Sequence, residues 1–222
     1  MSPSPLLRLN PVRHMVIGKS FVWGHLVKTG GDSTAHLFQL FPGLILHSDP
    51  LNENRKHDPF GARQDQIEGK LRILNIRRLP TWVLSYAHHV AQFGGFPDYR
   101  PIPLAKALKV LAEQNIADLH LDDMTSKGQY PVDLWFRLEH LKEDFLNFIK
   151  TQTAMSPWKR AKLRLARSRN TQQYRRDVSY WFDTEALEIM YETNPRWASI
   201  EKQAYGDQWR GDPPAHETLK LP

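Results

Sequence analysis

Cysteine is absent from the 222 residues, so the chain can form neither a disulfide nor a thiolate metal site, and it suits a reducing, cytoplasmic setting. Long apolar runs are absent as well. Ser2-Pro3-Ser4-Pro5 opens a polar, proline-punctuated tip with no uninterrupted apolar segment behind it, so neither a signal peptide nor a membrane span is expected, and the chain reads as soluble with no membrane partner. The histidines, including the His88-His89 doublet, lack metal-ligand spacing such as H-E-x-x-H, and no metal is expected. No internal repeat or low-complexity segment is evident. A Walker A loop is missing too. Gly18-Lys19-Ser20 imitates its end, but Arg13 stands where the loop needs a glycine, and the triplet precedes a strand instead of following one, so it reads as a turn.

What remains is enough for one α/β domain with a full core, over about residues 20–205 of 1–222. Hydrophobic residues make up 41% of the chain and there are seven tryptophans, which argues for a globular protein. A net charge of +6 and a pI near 9.5 favour polyanionic partners: a nucleotide with phosphate at two positions, nucleic acid or an acidic polysaccharide. Much of the basic character lies late, in Lys159, Arg160, Lys162, Arg164, Arg167, Arg169, Arg175 and Arg176, and such a run reads first as a solvated helix face.

The organising stretch is Phe21 to Phe41, FVWGHLVKTGGDSTAHLFQLF. An apolar, strand-forming run breaks into Lys28-Thr29-Gly30-Gly31-Asp32-Ser33-Thr34 and resumes at helical spacing through Ala35, Leu37, Phe38, Leu40 and Phe41. That is strand, tight turn, helix. Adjacent glycines let the backbone turn sharply, the first N–H groups of the helix point over the turn, and an anion fits there. Lys28 adds a cation, and Thr29, Ser33 and Thr34 add side-chain donors.

Val27-Lys28-Thr29-Gly30-Gly31-Asp32-Ser33 resembles the PKTGGTS-like loop of sulfotransferases that use 3′-phosphoadenosine 5′-phosphosulfate, with Val27 for proline and Asp32 for threonine. In that family the loop cradles the 5′-phosphosulfate. A second resemblance follows in Lys70 to Gln92. The family's third core strand ends in an arginine, followed eight residues later by a helical serine, and the two bind the 3′-phosphate; Arg77 and Ser85 stand at that separation. Arg78 is a further candidate charge, since Trp82 stands where relatives often carry a second arginine. The resemblance also implies a base or charged side chain from a Lys-His pair in the loop after the second strand. Lys56-His57 supplies one, and imidazole is suited to accept an alcohol's proton near neutrality. Arg169 and Arg175 are implied as contacts to the nucleotide or to an acidic acceptor.

The resemblance implies a single domain with a central, mainly parallel sheet flanked by helices, a P-loop-like sulfotransferase fold of the soluble, bacterial type. It implies sulfuryl transfer from 3′-phosphoadenosine 5′-phosphosulfate to a small-molecule or carbohydrate acceptor, with 3′-phosphoadenosine 5′-phosphate as product and no metal. Lys28 is the expected catalytic cation, with Lys28, Thr29, Gly30, Gly31, Asp32, Ser33, Thr34, Arg77 and Ser85 around the donor. Two other classes stay open. A nucleotide-dependent kinase also uses a strand-turn-helix, but needs its lysine after the glycines and a magnesium carboxylate. A basic nucleic-acid-binding module suits the charge but lacks a helix-turn-helix, zinc or RNA-binding signature.

Further along, Leu44 to Leu46 reads as a short second strand, Leu71 to Ile76 as a third, and Val132 to Phe136 as a fourth. Helices are expected over Ile102 to Leu111, Leu138 to Ile149 and Asp183 to Tyr191, with a last packed element at Asn194 to Tyr205. Arg137 and Glu139 read as charges that tie strand to helix.

Overall fold

A computed structural model describes residues 15–48, 58–94, 100–169 and 173–209. The chain enters through a hairpin, β1 (Val16–Gly18) and β2 (Phe21–Trp23), paired antiparallel with Ile17 opposite Val22. Lys19 and Ser20 make the turn, as the missing Walker glycine leads one to expect. Lys70 fastens it, its Nζ donating to the carbonyls of Gly18 at 2.8 Å and Lys19 at 2.7 Å. β1 itself is an element that the sequence reading leaves out, because three apolar residues are too few to show a period.

Helix α1 (Gly31–Gln39) follows the loop after β2. A 3-10 turn at Pro42–Leu44 then leads into β3 (Ile45–Ser48), which starts one residue later than expected and pairs antiparallel with β1. A 3-10 turn at Phe60–Arg63 runs into α2 (Gln64–Ile67), and β4 (Leu71–Ile76) lies parallel to β2. α3 (Leu79–Phe93) carries Pro80 in its first turn, where the missing N–H costs nothing. α4 (Leu104–Glu113) and α5 (Ile116–Met124) come next, the latter in a span too polar to read as a helix from its pattern.

β5 (Leu134–Arg137) is parallel to β4. A 3-10 turn at Leu138–His140 precedes α6 (Leu141–Gln152), so the expected single helix from Leu138 begins as a tighter turn. α7 (Pro157–Leu165), a 3-10 turn at Val178–Tyr180, α8 (Thr184–Thr193) and α9 (Pro195–Tyr205) complete the described chain. Asp183 caps α8 by accepting from the Ala186 N–H at 2.8 Å, and Gly206 ends α9 in the left-handed region.

The strand order is β3-β1-β2-β4-β5. Since β1 is antiparallel to both neighbours while β2, β4 and β5 are parallel, only β1 runs against the other four. The architecture is thus mixed α/β, mainly parallel, with helices on both faces. Alternation along the strands sorts the core. Phe21, Trp23, Ile73 and Phe136 face α1 and α6, where Phe38, Phe145 and Phe148 meet them. Val22, Leu74 and Ile76 face the other way, onto Trp82 and Leu84 of α3, Leu111 of α4, Leu121 of α5 and Trp197 of α9. Phe38 stacks on Phe21 with centroids 5.4 Å apart and meets Phe145 edge-on at 4.9 Å, which pins α1 and α6 to one side of the sheet.

Arg137 is half-buried and ties strand to helix as expected, whereas Glu139 is exposed and reaches α9. Arg137 grips Asp144 from Nη2 at 2.6 Å and Nε at 3.0 Å, while the Asp144 carboxylate also accepts from the Arg137 N–H at 2.8 Å. The Asp144 partner holds the Arg137 guanidinium above its usual pKa against the opposing pull of burial. Glu139 accepts from the Tyr205 hydroxyl. Among the described residues no helix is long and apolar enough to cross a membrane.

Candidate functional site

Because β2, β4 and β5 are parallel, their carboxyl ends share one edge of the sheet, where open α/β sheets place their ligands. Three consecutive segments meet there: the 24–30 loop after β2, Arg77-Arg78 after β4, and the Leu138–His140 turn after β5.

The loop is held by its own backbone and by three buried side chains. Gly24 N–H extends the strand pairing to Ile73 O at 3.0 Å, and Thr29 Oγ1 turns back to Leu26 O at 2.7 Å. Trp82 Nε1 donates to Val27 O at 2.8 Å from α3. The central support is Asn75, fully buried in β4: its Oδ1 accepts from Trp23 Nε1 at 2.8 Å, while its Nδ2 donates to Thr29 O at 3.0 Å and to Thr34 Oγ1 at 2.6 Å. Asn75 thereby ties the strand, the loop and the first turn of α1 together. It stands alone as a polar residue in Ile73-Leu74-Asn75-Ile76, which is the one sequence signal that could have marked it.

Two loop residues adopt the left-handed conformation, Lys28 at φ 58° and Gly30 at φ 88°. For lysine this costs on the order of 1–2 kcal/mol, so the surrounding hydrogen bonds must impose it. The glycines are needed, but for side chains more than for a ligand. A Cβ on Gly30 would lie 2.3 Å from Leu138 Cδ1, and one on Gly31 would lie 1.9 Å from the His25 ring, which is itself buried. His25 in turn stacks on Trp23, centroids 5.8 Å apart.

Arg77 reaches the loop directly. Its Nη1 donates to the Lys28 carbonyl at 3.3 Å and its Nε to Thr81 Oγ1 at 2.9 Å. Lys28 and Arg77, read from separate motifs, are therefore neighbours. Ser85 lies one turn beyond Thr81 on α3 and is buried, so the hydroxyl that meets Arg77 is that of Thr81.

The three hydroxyls expected to face a ligand are engaged by the protein. Thr29 is bound to Leu26, and Thr34 Oγ1 bonds to Gly30 O at 3.2 Å besides accepting from Asn75. Ser33 Oγ accepts from the Arg169 N–H at 2.9 Å and donates to Arg169 O at 3.3 Å, so the 166–169 segment is fastened to the start of α1 through the backbone of Arg169. What is left for an anion is main-chain. The first turn of α1, Gly31 to Ser33, has no preceding turn to donate to, since the first intrahelical bond is Thr34 N–H to Gly30 O at 3.1 Å. Asp32 sits in that first turn, where a carboxylate complements the helix dipole.

Arg78 points elsewhere. Its Nη1 pairs with the fully buried Glu201 at 3.2 Å, its Nη2 with Asp207 at 2.7 Å, and its guanidinium lies 4.1 Å over the Tyr205 ring. Glu201 also accepts from Leu79 N–H at 2.8 Å, Tyr191 OH at 2.9 Å and Trp209 N–H at 3.1 Å. Arg78 is thus the anchor that docks α9 onto the start of α3. Burial, together with the Glu201 carboxylate, pushes the Tyr191 hydroxyl far above its usual pKa, so it stays a donor.

Arg175 is held in its own turn, by Asp177 at 2.9 Å and over the Tyr180 ring at 3.8 Å. Ser179 and Arg175 lower the pKa of the Asp177 carboxyl. His57 lies outside the described residues. Among the described residues there is no cluster of His, Asp and Glu that could hold a metal ion. No family model matches this chain, and no curated protein or solved structure matches it.

Proposed function

We propose that the chain is a sulfotransferase that moves a sulfuryl group from 3′-phosphoadenosine 5′-phosphosulfate to an acceptor hydroxyl or amine, in a P-loop-like fold. One observation carries the reading: the lysine loop and the arginine corner, read separately in the sequence, touch through the Arg77–Lys28 hydrogen bond. A donor with phosphate at two positions needs two cationic corners within one molecule's reach, and Lys28 and Arg77 supply two such corners. The mainly parallel sheet and the placing of β4 beside β2 support the same reading.

The residues fit such a donor through main-chain N–H groups and cations more than through hydroxyls. Gly31, Asp32 and Ser33 offer N–H groups at a helix start, and Lys28 brings a positive charge in the loop that precedes them. When bound, the donor supplies an activated sulfuryl group with a phosphate as leaving group. Lys28 and the loop N–H groups then stabilise the charge that grows on the bridging oxygen, an interaction stronger in the transition state than before it. Arg77, braced by Thr81, orients the far end of the nucleotide and so limits the donor's freedom. The cytoplasmic setting and the small-molecule or carbohydrate acceptor belong to the same proposal.

The test is thermal denaturation with 3′-phosphoadenosine 5′-phosphate, with ATP plus magnesium and double-stranded DNA as comparators. A ligand that binds the native state raises its melting temperature. A rise with the bisphosphate alone is expected. A rise with ATP plus magnesium alone would replace this reading with a kinase.

A further inference from the structure

The densest concentration of positive charge in this chain is one stretch. From residue 145 to residue 176 there is no aspartate or glutamate, against nine lysines and arginines, so this stretch carries +9 of a total of +6 and the remainder of the chain is at −3. Its described centre is α7, with Lys159, Arg160, Lys162 and Arg164, followed by Arg167 and Arg169.

α7 also exposes apolar surface of a particular kind. Its only buried residue is Leu163. On the side away from Leu163, Trp158, Ala161 and Leu165 recur at i, i+3 and i+7, a stripe flanked by Lys162 on one side and Arg164 and Arg160 on the other. Trp158 is 74% exposed and Leu165 80%, whereas the other six tryptophans are buried or half-buried. Beside the stripe an open groove of about 620 Å³ runs between α1 and α7, bounded by His36, Leu40, Lys162, Leu165, Arg167 and Arg169. The nearest carboxylates on α6 have other partners, Asp144 with Arg137 and Glu143 with His140.

We infer that α7 docks this protein on the surface of an anionic lipid bilayer, with Trp158 and Leu165 entering the headgroup boundary and the flanking cations meeting acidic headgroups. A short helix with low net hydrophobicity, a tryptophan and leucine on one side and lysine and arginine around them is the pattern of a peripheral interfacial helix. Nucleic acid would use the same cations and could stack on Trp158, but would leave Leu165 in water. The inference runs against the sequence-based expectation of no membrane partner, which rested on the lack of an apolar segment long enough to span a bilayer. The inference stands apart from the donor site and does not need it.

The experiment is flotation of the full chain with phosphatidylcholine vesicles, with and without phosphatidylserine. Binding is expected only where phosphatidylserine is present, and it weakens as salt rises. Each of Lys162→Ala, Arg164→Ala and Arg167→Ala should lower the partition coefficient about fivefold. The pair Trp158→Ala and Leu165→Ser should lower it about tenfold or more, with unchanged circular dichroism and melting, because both side chains are exposed. Brominated acyl chains should quench the wild type and not Trp158→Phe. Absence of binding, equal binding to pure phosphatidylcholine, or binding that ignores the apolar pair and follows charge alone would each overturn the inference; the last would make this a general polyanion surface.

Discussion

Arg77 donates from Nη1 to the main-chain carbonyl of Lys28 across 3.3 Å, and so joins the end of β4 to the loop after β2. The bond has two consequences. It helps hold Lys28 at a positive φ, and it places two cationic residues on one edge of the sheet.

Lys28→Gly separates these roles. Glycine adopts the left-handed conformation without a steric cost, so stability is expected to hold or rise by up to about 1 kcal/mol, while donor binding weakens about ten- to a hundredfold with the loss of the side chain. Denaturant titration and nucleotide binding on the same variant check both halves.

Asn75→Leu keeps the branching at Cγ and removes the hydrogen bonds to Trp23, Thr29 and Thr34. Each buried group left unpaired costs about 1–3 kcal/mol, so a fall in stability of at least that size is expected, together with weaker nucleotide binding as the loop loosens. Urea unfolding followed by tryptophan fluorescence measures the first and calorimetry the second.

Gly31→Ala drives a methyl group into His25 and should destabilise by about 1–3 kcal/mol. His25→Ala opens the space, so the double variant should lose less than the sum of the two single ones. A double-mutant cycle by thermal melting detects that coupling. Strict additivity would mean that the contact does not limit the loop.

Glu201→Gln removes the buried one of the two carboxylates that pair with Arg78, leaving Asp207, and should cost about 1–3 kcal/mol. Nucleotide binding by the fraction that stays folded should be unchanged, since Arg78 faces α9 and not the loop. Circular dichroism melting combined with calorimetry below the transition separates the two.

One source of pH dependence is a histidine. His88 stacks on Tyr174 with centroids 4.3 Å apart, and burial lowers its pKa. A histidine held neutral binds fewer protons folded than unfolded. It therefore contributes stability above its unfolded value of about 6.5 that is lost as the pH falls below it. His88→Phe should flatten the stability profile on the acid side, measured by melting temperature from neutral to mildly acidic pH.

Much of the sheet was legible in the sequence. Leu71–Ile76 is a six-residue run bounded by turn residues, and it forms the strand with those limits. β1 was not legible, since its three residues gain meaning only when β2 and β3 flank them, and α5 was hidden by its mixed polarity. At the candidate site, the cations and glycines could be read because they punctuate the chain. Of their supports only Asn75 left a trace, as the lone polar residue of an apolar strand; Thr81, His25 and Leu138 act through contacts made by residues distant in sequence or by a turn of helix that carries no motif. The hydroxyls of Thr29, Ser33 and Thr34 show the same limit, because a sequence gives their number and not the acceptors they face.

The most direct test is calorimetric titration of the chain with 3′-phosphoadenosine 5′-phosphate beside Arg77→Ala and Lys28→Ala. The account predicts one site on the wild type and a loss of about ten- to a hundredfold in affinity in each variant, the worth of one charge-assisted contact. No heat with the wild type, or equal affinity in all three proteins, would contradict it.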